Sequence, residues 1–351
     1  MTERVLTARE LNRALLARQL LLERSEGSVT RAIERMAGLQ TQYAPSGYIG
    51  LWSRMRDFRR GSLTTALERG RAVTGTMMRI TIHTVSGRDY PLFTEGVRRA
   101  RRQAWMRFQR HQVAEQDMVA VARLLRRSLA RGPRRADELA ALVEAAGFPR
   151  IAWSGAGLWL DMVRVPPSGT WERRKADLYG LAEDAIGPWT VTEEQGMVHL
   201  VRRYLGGFGP APLADIANWA GLSATTLRPV VEHIRLRRFR DEAGGVLLDI
   251  PGAPLPDGDA HAPVRFLPTW DATLLAHARR TQILPEAYRA LIFSVKTPHS
   301  KPTFVVDGTV AGAWRYEGGR IRLEPFDTVP ARTRRELEDE ARALAAFHAG
   351  G

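Results

Sequence analysis

Residues 7–250 carry one order of signals three times over: helix-forming stretches, then a short strand pair. The order repeats although the sequence does not. That confines this part of the chain to several small packed units rather than one large sheet. In the first round Thr7 stands before an apolar stripe of Leu11, Leu15, Leu16, Leu20 and Leu22. Glu10, three residues on, completes a capping box. Helices are predicted over 28–39, from Ser46 onward and over 62–68. Ile80, Ile82 and Thr84 then alternate with polar neighbours, as in a half-buried strand. The second round predicts helices over 117–129, 135–146 and 156–162, a turn at Pro166–Gly169 and a wing over 170–179. The third opens on a capping box of Thr192 and Gln195 before a helix over 196–205. Helices over 213–220 and 223–233 follow, turning at Gly221, and a hairpin pairs 236–240 with 246–250.

Residues 251–263, PGAPLPDGDAHAP, form a Pro/Gly/Asp-rich linker. Beyond it lie short strand-like runs at 266–268, 291–295, 303–306, 310–314 and 321–325, with a hairpin signal at Val306-Asp-Gly-Thr-Val310 and a closing helix over 331–348. The fold class expected is α+β: three tandem winged-helix units followed by a small C-terminal β-barrel. The domains are placed at 1–112, 113–191 and 192–250, with the linker at 251–263 and a barrel-like domain at 264–351.

The net charge of +14 favours a polyanion as partner, although solvated arginines on a surface also produce it. The chain has no cysteine, so disulfides, thiolate metal sites, iron–sulfur clusters and Cys nucleophiles are excluded. Its eight histidines show no HxH or HExxH spacing, and no metal or cofactor is expected. The N-terminus is amphipathic and rich in Arg and Glu, unlike a signal peptide, and no window is apolar enough to span a bilayer. A cytoplasmic, monomeric protein with no membrane partner is expected.

Two features stand out as candidate chemistry. Gln40 and Gln42 flank Thr41 at the end of a predicted helix. Each neutral amide offers both a donor and an acceptor, so a pair can hold a water and a sugar without an ionised base. The densest basic run holds Arg98, Arg99, Arg101, Arg102 and Arg110. It reads equally as a solvated helix face or as a set of phosphate contacts. Lys296, His299 and Lys301 sit in a Pro-containing loop that could probe a groove. His83 reads as a hydrogen-bonded strand histidine, and Asp271 and His277 as structural groups.

Several blocks along the chain resemble the winged-helix DNA glycosylases of the AlkZ/YcaQ type. They are Met36–Pro45 with Tyr48–Arg54, Arg79–Ser86 with Asp89 and Tyr90, Leu200–Leu205 with Phe208–Pro210, Leu267–His277, Pro302–Gly308 and Gly312–Trp314. That family is similar in its three winged helices and C-terminal β-barrel, and its catalytic motif is Gln–x–Gln or Gln–x–Asp. The resemblance implies that Gln40 and Gln42 are catalytic; the middle residue, usually apolar there, is Thr41 here. It further implies a monofunctional glycosylase that hydrolyses the N-glycosidic bond of alkylated, cationic purines in double-stranded DNA. Such bases leave readily, so positioning water and stabilising an oxocarbenium-like sugar is the main task. Bulky adducts, interstrand crosslinks and self-resistance to a DNA-alkylating natural product stay open, as does a non-enzymatic winged-helix transcription regulator.

Overall fold

The computed structural model describes residues 3–278, 281–293 and 300–350 as a mixed α+β protein. The first strand, β1 (Val5–Leu6), leads into α1 (Ala8–Arg18), which the Thr7–Glu10 capping box begins. Next come α2 (Val29–Arg35), β2 (Leu39–Gln40), α3 (Ala44–Arg54), α4 (Arg60–Glu68), β3 (Ala72–Thr76) and β4 (Ile82–Ser86). The long α5 (Asp89–Gln109) leads into a second set: α6 (Glu115–Leu129), β5 (Arg134–Arg135), α7 (Ala136–Ala145), α8 (Ile151–Gly155), β6 (Met162–Arg164) and β7 (Leu178–Leu181). Both sets run helix, short strand, helix, helix, strand, strand.

After the short α9 (Ala182–Ile186), the order returns in α10 (Glu193–Phe208), α11 (Leu213–Ala220), α12 (Ala224–His233), β8 (Arg237–Asp241) and β9 (Val246–Asp249). Here the short strand shrinks to a single bridge between Ala211 and Leu248.

The first two sets share one antiparallel sheet, ordered β2-β4-β3-β6-β7-β5. Its two halves meet where Thr74 and Gly75 pair with Arg164 and Val163. The predicted helix over 156–162 is instead a 3-10 turn at Ala156–Leu158 followed by β6. Asp161 marks the change: its carboxylate takes the Arg98 guanidinium, and its carbonyl takes the Ala182 N–H rather than a helical partner.

Beyond the linker, β10 (Arg265–Leu267), the helix α13 (Glu286–Ile292), β11 (Thr303–Val306), β12 (Thr309–Glu317) and β13 (Arg320–Pro325) precede α14 (Ala331–Ala349). The four strands form an open antiparallel meander in chain order, not a closed barrel, among the described residues. The strand expected at 291–295 begins as the end of α13, and 294–295 lie outside the described residues. The Asp307–Gly308 turn has positive φ at both residues (45° and 78°), the geometry a two-residue hairpin requires.

Two packing features hold these parts together. Helices α5 and α10 cross through glycines: a Cβ on Gly96 would lie 2.6 Å from the backbone of Gly196. The helices α2–α4 share one apolar core with the C-terminal sheet, where Tyr48, Leu51, Phe266, Phe304, Trp314 and Phe347 are all buried.

Candidate active site

Helix α2 ends in two left-handed residues, Ala37 (φ 61°) and Gly38 (φ 88°). A side chain at Gly38 would press on Val85 at 2.9 Å. The chain therefore reverses tightly into β2, where Leu39 and Gln40 pair antiparallel with Thr84 and His83 of β4. The Thr41 N–H continues the ladder to the Ile82 carbonyl at 2.9 Å, and α3 follows with Pro45 in its first turn. The short strand thus ends at Gln40, and Thr41 and Gln42 lead through a bend into α3.

Extended residues alternate sides. Thr41 points into the sheet, where its hydroxyl lies 3.0 Å from that of Thr84, itself 2.7 Å from that of Thr74. This buried hydroxyl chain explains why a polar middle residue is tolerated. Gln40 falls on the other side, and Gln42 lies in the bend that leads into α3. Gln40 is 7 % exposed, and its Oε1 accepts from Arg79 Nη2 at 3.0 Å. A guanidinium only donates, so the amide oxygen is the acceptor in this pair, and the NH2 group has no hydrogen-bond partner among the described residues. Gln42 is exposed, and its amide has no partner among the described residues.

Arg79 sits in the β3–β4 turn with φ 53°, next to Ile80 at 59°. Its Nη1 donates to the Trp219 carbonyl at 2.6 Å, in the last turn of α11, where the helix end favours a cation. Gly221, left-handed at φ 75°, lets α11 end against the Arg79 backbone; a Cβ there would lie 3.1 Å from Arg79 N.

His83 is the cross-strand partner of Gln40 and lies on the same face. Its Nδ1 is 3.1 Å from the Thr81 carbonyl and must donate to it, which leaves Nε2 as an acceptor. Burial, reinforced by the Arg79 charge, pushes the imidazole down to about 3.

Behind Gln40 is a crevice of about 10 Å³, walled by Ser46, Arg54, Trp270 and Asp271. It has room for at most one water. Asp271 caps a 3-10 turn through the Thr273 N–H and holds Arg54 at 2.8 Å, so it is structural. His277 likewise pairs with the buried Asp215 at 3.1 Å.

The predicted basic run does not form one exposed face. Arg98 is held by Glu95 and Asp161 at 2.7 and 2.8 Å. Arg101 is buried, donates to the Thr76 carbonyl and is pushed down to about 10 by desolvation. Arg102 donates to the Leu158 carbonyl at 2.8 Å and lies over Trp159. Arg99 is exposed and paired with Glu193 at 3.0 Å, and Arg110 is exposed. The helical period explains the division: positions 98, 101 and 102 turn toward the neighbouring unit. Lys296 and His299 lie outside the described residues, and Lys301 is half-exposed, 3.9 Å from Glu324.

Sequence reasoning did not assign a site role to Arg79, Tyr43, Arg174, Trp270 or Tyr316. Arg79 reaches Gln40 from the β3–β4 turn, where its φ is positive, a feature no sequence pattern signals. The other four line an aromatic cleft that Tyr43, the residue after Gln42, borders, with Arg174 Nη1 donating to the Tyr43 hydroxyl at 3.0 Å.

A family model described as "DNA glycosylase AlkZ-like" matches residues 33–347. Among solved structures, the Streptomyces sahachiroi DNA glycosylase AlkZ superposes with a TM-score of 0.83, over 99 % of this chain and 97 % of that one, at 18 % identity. No curated protein sequence matches the chain. The glutamine segment, the sheet that carries it and the C-terminal meander all fall within the matched residues, and the chain belongs to the AlkZ-like DNA glycosylase family.

Proposed function

We propose that this glycosylase removes alkylated, cationic purines from double-stranded DNA by hydrolysis, with Gln40 and Gln42 in unequal roles. We read the three recurring element sets as winged-helix units, on the order of their elements. The observation that carries the mechanism is the Arg79 guanidinium on Gln40 Oε1. It commits that oxygen and polarises the amide, so Gln40 acts as a donor toward a sugar or phosphate oxygen. The Gln42 amide has no partner among the described residues, and its carbonyl accepts a hydrogen bond from the attacking water. One water lone pair is then aimed at the anomeric carbon.

As the C1′–N bond breaks, its electron pair passes to the purine, which leaves neutral because alkylation had made it cationic. The water oxygen bonds to C1′, and its proton passes to solvent. Preorganised dipoles that strengthen as charge grows on the sugar account for the rate. The Gln–x–Asp form of the motif fits this division, since an Asp can replace the acceptor but not the donor.

The test is single-turnover excision from duplex carrying an N7-alkylguanine, read by alkaline cleavage at the abasic site. Gln40→Ala and Gln42→Ala are each expected to slow release about 100-fold with little change in DNA binding. Wild-type rates in both folded variants would remove the pair from the mechanism.

A further inference from the structure

Gln40 belongs to the first recurring set of elements, but the guanidinium on its oxygen is anchored on the third. Helix α11 ends at Gly221, whose N–H returns to the carbonyls of Ala217 and Asn218. The Leu222 N–H bonds to the Ala217 carbonyl as well. The Trp219 carbonyl is one of the last four, which a helix end leaves without an intrahelical partner. It accepts from Arg79 Nη1 at 2.6 Å. The same guanidinium donates through Nη2 to Gln40 Oε1 at 3.0 Å. One planar fork thus spans a helix end and the glutamine amide, a geometry that a point-like ammonium does not reproduce.

The anchor is rigid. Trp219 is buried against Phe93 of α5 and Tyr204 and Phe208 of α10, with ring centroids 6.0, 5.4 and 6.0 Å away. The β3–β4 turn lies against the same helix end: a Cβ on the left-handed Gly221 would meet Arg79 N and Cα at 3.1 and 3.2 Å. The turn holds two successive non-glycine residues in the left-handed region, Arg79 at 53° and the β-branched Ile80 at 59°. Such strain persists where the surrounding structure over-determines it, and it gathers at functional sites. Gly221 is also the turn between the paired helices. Ser223 caps α12 two residues later, its Oγ accepting from the Thr226 N–H at 3.0 Å.

We propose that Arg79 is a positioning residue through which the α11–α12 helix pair sets the orientation of the Gln40 amide. The proposal rests on the glycosylase reading above and adds that the donor is aimed from a distant part of the chain. Pairing with His83 fixes the Gln40 backbone but not its side-chain torsions. A guanidinium tied to Gln40 alone would swing with the amide. Tied to the Trp219 carbonyl as well, it holds the amide oxygen in place and so points the NH2 group in one direction before substrate arrives. A change at the end of α11 is thereby transmitted to Gln40.

The experiment reads Gln40 directly by NMR, in the full chain isotope-labelled at its glutamine side-chain amides. The Gln40 NH2 signals are assigned by their loss in Gln40→Ala. Gly221→Ala is expected to shift them by more than a linewidth when Arg79 is present and to leave them in place when Arg79→Ala is already made. Gly221→Asn, which tolerates the left-handed region better, serves should Gly221→Ala fail to fold. Single-turnover excision from duplex carrying an N7-alkylguanine is measured in parallel. Arg79→Ala is expected to slow it about tenfold at unchanged half-saturation, the scale of one charge-assisted hydrogen bond. Arg79→Lys keeps the charge without the fork and is expected to be as slow, whereas in the Gln40→Ala background Arg79→Ala is expected to add no further loss. Gln40 signals unmoved by the Gly221 variant, a wild-type rate in Arg79→Lys or additive losses overturn the proposal and leave the glycosylase reading standing. Signals that move as expected in a protein that excises nothing support the proposal and remove that reading.

Discussion

The two glutamines differ by one hydrogen bond, and the chemistry assigned to them follows from it. Gln40 Oε1 is occupied by Arg79 while the Gln42 amide is open. Gln42→Asp keeps an acceptor and is expected to retain at least about a tenth of wild-type excision, whereas Gln40→Glu loses the donor and falls about 100-fold. Equal losses in single-turnover assays would reject the donor–acceptor split. His83 yields a separate expectation. Its ordinary value is about 6.5, and the folded protein holds it near 3. The folded form therefore binds the proton less readily than the unfolded chain. The stability this contributes is complete above about pH 6.5 and is lost as pH falls toward 3. Urea midpoints at pH 7 and pH 4.5 are expected to differ less in His83→Gln than in wild type. Since neither amide titrates and His83 stays neutral, excision is expected to show no inflection from His83 between pH 6 and 8.

At the scale of elements, buried ion pairs fix how distant segments meet. Arg18 of α1 forms two bonds with Asp249 of β9, at 2.6 and 2.9 Å, with both side chains fully buried. Asp249→Ala leaves the guanidinium buried and unpaired and is expected to cost about 3–5 kcal/mol, read from urea unfolding. A loss below 1 kcal/mol, on the order of an exposed pair, would show that water reaches Arg18. The α5–α10 crossing is equally exacting. Gly96→Ala places a methyl 2.6 Å from backbone, where no flexible side chain can yield, and an overpacking cost of about 1–3 kcal/mol is expected. An unchanged midpoint would mean that the helices can separate freely.

Over the whole molecule, the net charge of +14 is expected to make DNA affinity fall steeply with salt through counterion release. The structure decides which arginines contribute. Arg110→Ala, at an exposed position, is expected to lower the salt slope by about one, and Arg101→Ala, buried on the Thr76 carbonyl, to leave the slope unchanged while lowering stability. A slope reduced by Arg101→Ala instead would place that guanidinium on the phosphates. The units predicted from local order also prove interdependent: the first two share a six-stranded sheet, and the helices α2–α4 share a core with the C-terminal meander.

Local chemistry was legible in the sequence because its causes lie within a few residues. The boxes at Thr7/Glu10 and Thr192/Gln195, the Asp307–Gly308 turn, the left-handed Gly221 and the order of helices and hairpins depend on capping, chirality and period alone. The Gln–x–Gln pattern was visible too. What the sequence left open depends on partners far along the chain. Nothing near Gln40 announces that Arg79, held by the end of α11, will take its oxygen, or that Tyr316 and His348 will close a cleft beside Tyr43. The same holds for the arginines at 98–102: charge is a property of the residue, but exposure is set by which helix face a neighbouring unit covers.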